Sequence, residues 1–459
     1  MAYWCGASSC FFLILLIISS VLSLTSSVED PQIIGMEVGR NRGEGPYIIP
    51  DWGKENGDLR NTGSSPFNLS LNRGRIRWAR EFSEGIGCSP VLDSDSNIYF
   101  GTLGGTLISL DPNGITRWTF KTQDGIVSSP TIVNDRIIFT SLDGQCRCFD
   151  LNGERKWDFE TDDRIVTSPV VTPSGKILFG SGNGIFYSLN FDGTKLWEFN
   201  SGAPIGSSAS VGLQGDIYFG NNAGRMICLS NEGVEKWHYE TYGKILSDPM
   251  ITDDENICFG SVDEHSYMVN KEGELVWKKW LDGMIISSPT LMRNGNILVT
   301  TYNGRVYEID KKGEGSFKIQ VNSHINGSVI LSNDDYLALG TEDGRAICYD
   351  QYLAPAWEVN VGSSVNGTPA ITKEQELIIT TEGGKVLCIK QGIPYPPDNI
   401  DIIPGNGHVS IQWRTAPEHI ATELMGYKVL RGDNTSSFET VFDCNSSVHS
   451  FVDTNVTNG

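Results

Sequence analysis

Positive charge is scarce in this sequence. Its 459 residues include 35 lysines and arginines against 56 aspartates and glutamates, which gives a formal net charge of −21 at pH 7. Such a chain repels a nucleic-acid backbone unless its basic residues form a local patch, and the sequence contains no such patch. The charge balance therefore argues against nucleic acid as a partner.

Histidine and long helical patterns are also scarce. The six histidines are scattered, with no spacing typical of metal ligands, so packing or surface roles are their default interpretation. Few stretches show the apolar periodicity of helices, whereas glycine is abundant, with 51 residues. This balance favours an all-β protein.

The N-terminus lacks charged side chains altogether. None occurs in the first 28 residues, and residues 11–24 are apolar and followed by small residues that suit cleavage. The basic residues that usually open a secretory signal are missing. As a helix, the apolar segment would span about 21 Å, less than the ~30 Å core of a bilayer. We therefore predict a signal peptide over residues 1–27, with an uncleaved N-terminal anchor as the alternative.

A repeat of about 40 residues fills most of the chain. In residues 128–157, a Ser-Pro pair opens the unit, an Asp-Gly turn follows, and a tryptophan closes it. The closing aromatic residues, which recur at steps of 39 or 40, are Trp78, Trp118, Trp157, Trp197, Trp237, Trp277, Phe317 and Trp357. Their recurrence at one position indicates packing rather than a binding platform.

Each unit resolves into four short β runs separated by turns. In the second unit, these runs are predicted at 127–133, 136–141, 145–150 and 155–160. Four antiparallel strands in one unit form a propeller blade. The Ser-Pro run suits the innermost strand, because proline cannot donate to a ladder. The tryptophan suits the outermost strand, where it can pack against the next blade.

The ends of the array predict how the ring closes. The array starts with a lone closing strand at 75–82 and ends with a strand at 385–390 that no closing strand follows. The first strand therefore completes the last blade. We predict an eight-bladed propeller over residues 75–391, preceded by an exposed, irregular lead-in at 28–74.

Cysteine gives no disulfide framework. Two of the ten cysteines lie in the predicted signal. Cys148, Cys228, Cys348 and Cys388 share one position of the repeat, which indicates a half-buried packing site for a small residue. Cys146 and Cys148 lie two residues apart on one strand, about 7 Å in Cα, which is unfavourable for a bridge.

The repeat stops after Gly392, and a second domain is predicted at 398–459 after a linker at 392–397. Its strand pattern, with Trp413 and Tyr427 as core aromatic residues, resembles a fibronectin type III domain, which is a β-sandwich. Two further strands of that family would follow the final TNG. Either the chain is a fragment or this domain is incomplete.

The propeller repeat itself resembles a known family over residues 52–391. The unit W…SSPxV…YFGxxDGxLxxLDxxGxxxW and the lead-in DWGKENGDLRNTG, with Trp52, Asp58, Thr62 and Gly63, resemble the pyrroloquinoline-quinone (PQQ)-like repeat propellers. This family includes quinoprotein dehydrogenases and the B lipoprotein of the bacterial outer-membrane assembly machine. The resemblance implies the fold, but not one activity.

Quinoproteins of that family hold PQQ with a disulfide between adjacent cysteines, with calcium, and with a catalytic aspartate. This sequence has no adjacent cysteine pair, and no calcium-ligand set matches by position. The segment Asp93–Asn97 imitates a calcium loop, but Ile98 and Gly104 stand where the loop needs glycine and glutamate, so a solvated turn is favoured. No catalytic, cofactor or metal residue is therefore assigned, and no cofactor is predicted.

Other short motifs have simple interpretations. Arg431-Gly432-Asp433 matches an adhesion triplet but follows a predicted strand, where the resembled domain often has Arg-Gly in a turn. Asn326 and Asn366 start glycosylation triplets but adjoin inner strands, so modification there is not expected. The glycosylation triplets in exposed stretches begin at Asn68, Asn434, Asn445 and Asn455.

The remaining candidate site is one rim of the propeller. Loops that enter the inner strand and turns between the second and third strands are predicted to share this rim. Its candidate binding residues are Asp143, Tyr242, Asp263, His265, Trp280, Tyr302 and Asp343, with further acidic residues at Asp124, Asp162, Asp163 and Asp282. An acidic rim with aromatic residues suits cationic groups, sugars or proteins.

The sequence thus predicts an exported, non-catalytic propeller that binds a protein or carbohydrate partner, either secreted or at the cell surface. Membrane contact is expected only through an uncleaved N-terminal segment. A PQQ-dependent quinoprotein dehydrogenase and a scaffold for envelope protein assembly are the alternatives.

Overall fold

The computed structural model describes residues 11–17, 47–390, 398–405, 408–414, 426–434, 437–445 and 450–453. Regular structure in these ranges is entirely β. They contain no helix long and apolar enough to cross a membrane. The chain divides into a larger unit, Glu37–Gln391, and a smaller unit formed by Met1–Met36 and Gly392–Gly459.

The larger unit is an eight-bladed β-propeller of four-stranded antiparallel blades, which confirms the predicted fold. With β1 (Phe11–Ile17) in the smaller unit, the strands of the larger unit are β2 (Arg75–Glu81), β3 (Val91–Leu92), β4 (Ile98–Gly101), β5 (Thr106–Leu110), β6 (Thr116–Lys121), β7 (Thr131–Val133), β8 (Arg136–Thr140), β9 (Gln145–Asp150), β10 (Arg155–Glu160), β11 (Val170–Val171), β12 (Ile177–Gly180), β13 (Ile185–Leu189), β14 (Lys195–Asn200), β15 (Ser210–Val211), β16 (Ile217–Gly220), β17 (Arg225–Leu229), β18 (Glu235–Glu240), β19 (Met250–Ile251), β20 (Ile257–Gly260), β21 (His265–Val269), β22 (Leu275–Trp280), β23 (Thr290–Leu291), β24 (Ile297–Thr301), β25 (Arg305–Ile309), β26 (Gly315–Gln320), β27 (Ile330–Leu331), β28 (Leu337–Gly340), β29 (Arg345–Tyr349), β30 (Pro355–Asn360), β31 (Ala370–Ile371), β32 (Leu377–Thr380) and β33 (Lys385–Lys390). Blades 1 to 7 take four consecutive strands each, from β3 to β30, and blade 8 contains β31, β32, β33 and β2.

The ring closes as predicted. Strand β2 pairs antiparallel with β33, so that Arg75 lies opposite Lys390 and Glu81 opposite Lys385. The chain segment before blade 1 thus supplies the outer strand of blade 8. This closure pairs two strands that the chain would otherwise leave as edges.

The tryptophan repeat packs adjacent blades together. Trp118 lies on the outer strand of blade 1, and its Nε1 donates to the carbonyl of Leu151 in blade 2, 2.9 Å away. A Cβ built on Gly153 would lie 2.8 Å from the Trp118 ring, at a backbone φ of +88°. Glycine is therefore required where the next blade meets the ring.

The inner strands are shorter than predicted. In blade 2, β7 begins at Thr131 rather than residue 127. The backbone N–H of Ser129 donates to the Ser168 hydroxyl of blade 3, 3.0 Å away, instead of joining a ladder. The serine of the Ser-Pro pair therefore serves the contact between blades.

The prediction of an exposed lead-in is wrong for its described residues, 47–74. Trp52 is 1% exposed, and lead-in carbonyls accept hydrogen bonds from inner strands of several blades. The N–H of Leu92 donates to Trp52, that of Val211 to Leu59, and those of Ile132, Ile251, Leu291 and Leu331 to Gly53, Arg60, Thr62 and Gly63, at 2.6–2.9 Å. Innermost strands carry unpaired N–H groups, and a segment that crosses the end of the channel satisfies them.

The cysteines are packing residues, but the predicted degree of burial is wrong. Cys148, Cys228, Cys348 and Cys388 are fully rather than half buried, at 0–1% exposure. Cys146 and Cys148 are both free thiols. They fill space inside blades, where a small apolar group is needed.

The predicted turn at Asp93 and three of the glycosylation triplets can be placed in the larger unit. Asp93 lies in the turn between β3 and β4, where its carboxylate accepts hydrogen bonds from Asn97 and Tyr99. Asn326 donates to Asn366 at 2.9 Å, next to the inner strands as predicted. Asn68 is partly buried and accepts from the Asn333 amide at 3.0 Å.

The described residues of the smaller unit form two three-stranded antiparallel sheets, β34-β35-β38 and β1-β36-β37. Its further strands are β34 (Asp398–Gly405), β35 (His408–Arg414), β36 (Gly426–Asn434), β37 (Ser437–Asn445) and β38 (Ser450–Asp453). Arg431-Gly432-Asp433 lies in β36, whose register with β37 shifts between Arg431 and Asn434. Pairing with β36 places part of the predicted signal in a strand. The fibronectin resemblance and the signal peptide remain predictions.

Several predicted features lie outside the described residues. They are the linker at 392–397, the lead-in before residue 47, the signal residues 1–10 and 18–27, and Asn455.

Candidate functional site

The predicted rim is formed by the loops between blades and by the turns between the second and third strands. In blade 2, the N–H of Leu142 donates to the Gly125 carbonyl at 2.8 Å. The N–H of Gln123 donates to the Asp143 carboxylate at 3.1 Å. The two kinds of loop therefore meet at the same end of the blades.

Three predicted rim carboxylates bind side chains of their own blades. Asp143 forms a salt bridge with Arg147 at 2.7 Å, and both side chains are nearly buried. Burial raises the pKa of Asp143, but hydrogen bonds from Arg147 and Ser141 outweigh it and hold this pKa below its usual value. Asp263 accepts from the Tyr267 hydroxyl at 2.6 Å, and Asp343 pairs with Arg345 at 2.9 Å. These carboxylates already have partners within their own blades.

Two predicted aromatic residues remain available on the rim. Tyr242 is 91% exposed and Trp280 is 57% exposed. The Lys278 ammonium lies 5.0 Å from the Tyr242 ring centre, and Trp280 Nε1 donates to Glu264 at 3.0 Å. The structure thus brings Tyr242, Asp263, His265 and Trp280 together at blade 5.

The other predicted residues lie on separate blades. Tyr302, in blade 6, stacks on His324 with ring centres 4.3 Å apart, and His324 Nδ1 contacts the Glu342 carboxylate. Asp143 lies in blade 2 and Asp343 in blade 7. The rim is therefore not one site, and blade 5 carries its largest cluster of predicted residues.

The central channel contains a feature that sequence reasoning missed. The residue before the inner-strand proline, or its equivalent, accepts a hydrogen bond from the backbone of the preceding blade, at 2.6–3.2 Å. The members of this ring are Ser89, Ser129, Ser168, Ser208, Asp248, Ser288, Ser328 and Thr368. The repeat itself carried the signal, because one position of the aligned units holds seven hydroxyl residues and one aspartate.

The lead-in adds polar groups to this ring. Glu55 accepts hydrogen bonds from Ser89 at 2.7 Å and Ser168 at 3.0 Å. The Asn56 amide donates to Asp248 at 3.1 Å and to Ser288 at 3.2 Å. Two carboxylates, Glu55 and Asp248, therefore share the narrow channel.

The surroundings of Asp248 disfavour its ionised form. Burial, reinforced by the Glu55 carboxylate, raises the pKa of Asp248 to about 7. A carboxyl group whose pKa is raised by folding retains a proton that the unfolded chain has lost. Its ionisation in the folded state therefore opposes folding.

We expect Asp248→Ser, which completes the ring of hydroxyls, to stabilise the protein at pH 8. The destabilisation by Asp248 grows as pH rises from about 4 to about 7 and is complete above that range, where it reaches the order of 4 kcal/mol. Urea unfolding of both proteins at pH 4, 6 and 8 measures this difference. An equal gain at pH 4 and pH 8 would contradict the raised pKa.

The channel does not fit PQQ, the cofactor implied by the family resemblance. Its volume is about 150 Å³, below the about 300–1,000 Å³ of most small-molecule pockets. PQQ is a tricarboxylate, yet no lysine or arginine is among the described residues that line the channel, whereas Glu55 and Asp248 are. Cys88 lines it without an adjacent cysteine. Among the described residues, no three His, Cys, Asp or Glu side chains are placed to hold a metal ion.

Solved structures share the fold at low sequence identity. Europium-containing methanol dehydrogenase aligns with a TM-score of 0.65 and 13% identity, covering 74% of this chain and 98% of that one. BamB from Moraxella catarrhalis aligns with a TM-score of 0.58 and 13% identity, covering 69% and 99%. Quinohemoprotein alcohol dehydrogenase from Comamonas testosteroni aligns with a TM-score of 0.64 and 12% identity, covering 78% and 83%. These similarities show the fold and leave the activity undecided.

Sequence comparison is more specific. No curated protein matches the chain. The family model described as "Outer membrane protein assembly factor BamB" matches residues 68–191 and 182–313, more than half of the chain. The protein thus belongs to this family of PQQ-like repeat propellers.

Proposed function

We propose that this protein is an exported, non-catalytic scaffold that binds a protein or glycan partner through its rim, at the cell surface or outside the cell. The observation that carries the proposal is the exposed aromatic cluster at blade 5, where Tyr242 is 91% and Trp280 57% exposed. Trp and Tyr are the residues that most often anchor a binding partner. The lead-in contacts the inner strands near their turns to the second strands, which lie at the other end of the blades from the rim.

A second candidate, a scaffold for assembly of envelope proteins, is supported by the family match over residues 68–313. It uses the same rim and differs in the partner. A quinoprotein dehydrogenase has less support, because the channel is lined by two carboxylates, which would repel a tricarboxylate cofactor.

Position-specific crosslinking tests the proposal. A photo-crosslinking amino acid at Gln123 or Asn322, both exposed on the rim, is expected to give a discrete adduct on intact cells of the source organism. The same group at Asn152 or Tyr352, exposed on the opposite end, serves as the control and is expected to give none. Adducts from the control positions alone would contradict rim binding. Alcohol oxidation after addition of PQQ and calcium would contradict a non-catalytic role.

A further inference from the structure

The eight blades provide an internal comparison for every position of the repeat. All blades meet the same folding requirements, since each packs four strands around one channel. If one blade has a type of side chain that the other seven blades lack at the same position, the fold does not require that side chain. Such exceptions are candidates for function.

Trp280 is such an exception. It ends the outer strand of blade 5, three residues after the packing tryptophan Trp277. The other seven blades have polar residues at this position, namely Glu81, Lys121, Glu160, Asn200, Glu240, Gln320 and Asn360. The fold thus accepts a polar side chain where blade 5 exposes an indole.

Tyr242 is a second exception, in the loop that enters blade 5. It is 91% exposed, so its ring contributes little to the core. The equivalent residues of the other blades are Ser83, Gln123, Asp162, Gly202, Asp282, Asn322 and Gly362. None of them is aromatic.

Glu264 is a third exception, and it is strained. All seven equivalent residues are glycines with positive φ. At each of them, a built Cβ would lie 2.1–3.0 Å from a neighbouring atom. These glycines are Gly105, Gly144, Gly184, Gly224, Gly304, Gly344 and Gly384. Glu264 adopts the same left-handed conformation, with φ of +69°. Residues other than glycine in the left-handed conformation cost free energy, and they are found most often at functional sites. Here, the Glu264 carboxylate accepts the hydrogen bond from Trp280 Nε1.

The three exceptions meet at one turn. Asp263, next to Glu264, accepts from the Tyr242 N–H at 3.0 Å and from the Tyr267 hydroxyl at 2.6 Å. Lys278 lies 5.0 Å from the Tyr242 ring centre and 5.4 Å from that of Tyr267. We call this cluster, Tyr242, Asp263, Glu264, Tyr267, Lys278 and Trp280, the blade-5 surface.

The chemistry of the blade-5 surface selects among ligand classes. Lys278 already covers two tyrosine rings, so an incoming cation would meet its charge. The carboxylates and the net charge of −21 oppose an anionic ligand. The exposed aliphatic residues Leu275 and Val276 lie at the other end of β22, so an apolar peptide would find little further contact beyond Met284, which is 42% exposed.

We propose that the blade-5 surface binds a neutral carbohydrate chain, with Tyr242 and Trp280 stacked on the apolar faces of its sugar rings. A sugar ring combines a flat C–H face with hydroxyls at its edge. The surface offers the matching groups, namely exposed ring faces flanked by Glu264 and Lys278. This inference rests on the proposed function and names the ligand class.

Substitutions taken from the other blades test the inference. The probes are neutral oligomers of glucose, mannose, galactose and N-acetylglucosamine, with binding measured by calorimetry. We expect the wild-type protein to bind at least one of them, and Trp280→Gln or Tyr242→Asn to weaken that binding about tenfold or more. Tyr352→Asn, at a tyrosine that is 81% exposed on the opposite end, is the matched control and is expected to leave binding unchanged.

Glu264→Gly separates a functional from a structural role. Glycine relieves the left-handed conformation, so Tm is expected to rise by about 2 °C. The variant also loses the acceptor that orients Trp280, so oligosaccharide binding is expected to weaken. A loss of both stability and binding would assign Glu264 a structural role and overturn its part in the site.

The remaining outcomes distinguish this inference from the proposed function. Binding that survives both Trp280→Gln and Tyr242→Asn would overturn the blade-5 surface as the sugar site. If no oligosaccharide binds but rim crosslinks form and are lost in Trp280→Gln, the partner is a protein, and only the carbohydrate inference fails. If neither sugar binding nor rim crosslinks occur, the proposed function fails as well.

Discussion

Replacement of strand β2, Arg75–Glu81, by a glycine-serine linker of equal length is expected to lower Tm by more than about 10 °C. This strand precedes blade 1 in the chain and completes blade 8 through its pairing with β33, so it adds a strand ladder to the side-chain contacts between the two blades, such as that of Thr368 with Ser89. Trp78 on β2 donates to the Pro112 carbonyl of blade 1 at 3.1 Å, and Arg77 pairs with Glu376 of blade 8 at 2.9 Å. Thermal unfolding followed by circular dichroism measures the change.

The matched control replaces β6, Thr116–Lys121, in the same way. It also removes an outer strand and a packing tryptophan, Trp118, but blades 1 and 2 stay joined through the chain. We expect the β2 replacement to lower Tm further than the β6 replacement. Equal losses would show that β2 acts as one more outer strand and has no special part in closure.

The propeller could be predicted from the sequence because its determinants are local and repeated. Within a blade, adjacent strands are joined by turns of a few residues, and each unit repeats the same spacing of proline, glycine and tryptophan. Closure followed from counting strands, since eight inner triplets needed one more outer strand. The observed pairing of Arg75 with Lys390 confirms that count.

The lead-in could not be predicted in this way, because its partners are distant and it has no period. Asn61, for example, donates to the carbonyls of Ala209 and Pro249, about 150 and 190 positions along the chain. A physical clue was present, since the N–H groups of the innermost strands had no assigned acceptor. The polar composition of the lead-in favours exposure, yet its side chains Trp52 and Asn56 are each only 1% exposed.

The rim was predicted in position but not in chemistry. Alignment of the repeats located the loops that carry Asp143 and Asp263, but sequence alone did not show that Arg147 and Tyr267 already bind these carboxylates. Both partners lie four residues further along, a spacing that could have been recognised. The exposed states of Tyr242 and Trp280 depend on the loop geometry around them, which only the structure provides.

Substitution of Lys54 by methionine is expected to destabilise the protein by about 3 kcal/mol. Lys54 is 3% exposed, and its ammonium donates to the carbonyl of Glu55 at 2.6 Å, to that of Asp58 at 3.1 Å, and to Asn61 Oδ1 at 2.5 Å. Methionine fills the same space but removes this donor from the Glu55 carbonyl and Asn61 Oδ1, whereas the Asp58 carbonyl keeps the N–H of Asn61 as a donor at 3.1 Å. Urea unfolding at pH 7 measures the loss.

Lys311→Met is the control for removing a positive charge. Lys311 pairs with Asp254 at 2.7 Å, but both side chains are more than half exposed, so a change within about 0.5 kcal/mol is expected. Wild-type stability in Lys54→Met would contradict a role for the buried ammonium.

The double variant Lys54→Met/Asp248→Ser tests whether the buried ammonium also offsets the Asp248 carboxylate. Burial lowers the pKa of Lys54, and the attraction of Asp248 opposes that shift. At pH 8, where Asp248 is ionised, Asp248→Ser should therefore stabilise the Lys54→Met variant more than it stabilises the wild type. At pH 4, where Asp248 is protonated, the two substitutions should be additive. Additivity at both pH values would show that Lys54 stabilises the lead-in through its hydrogen bonds alone.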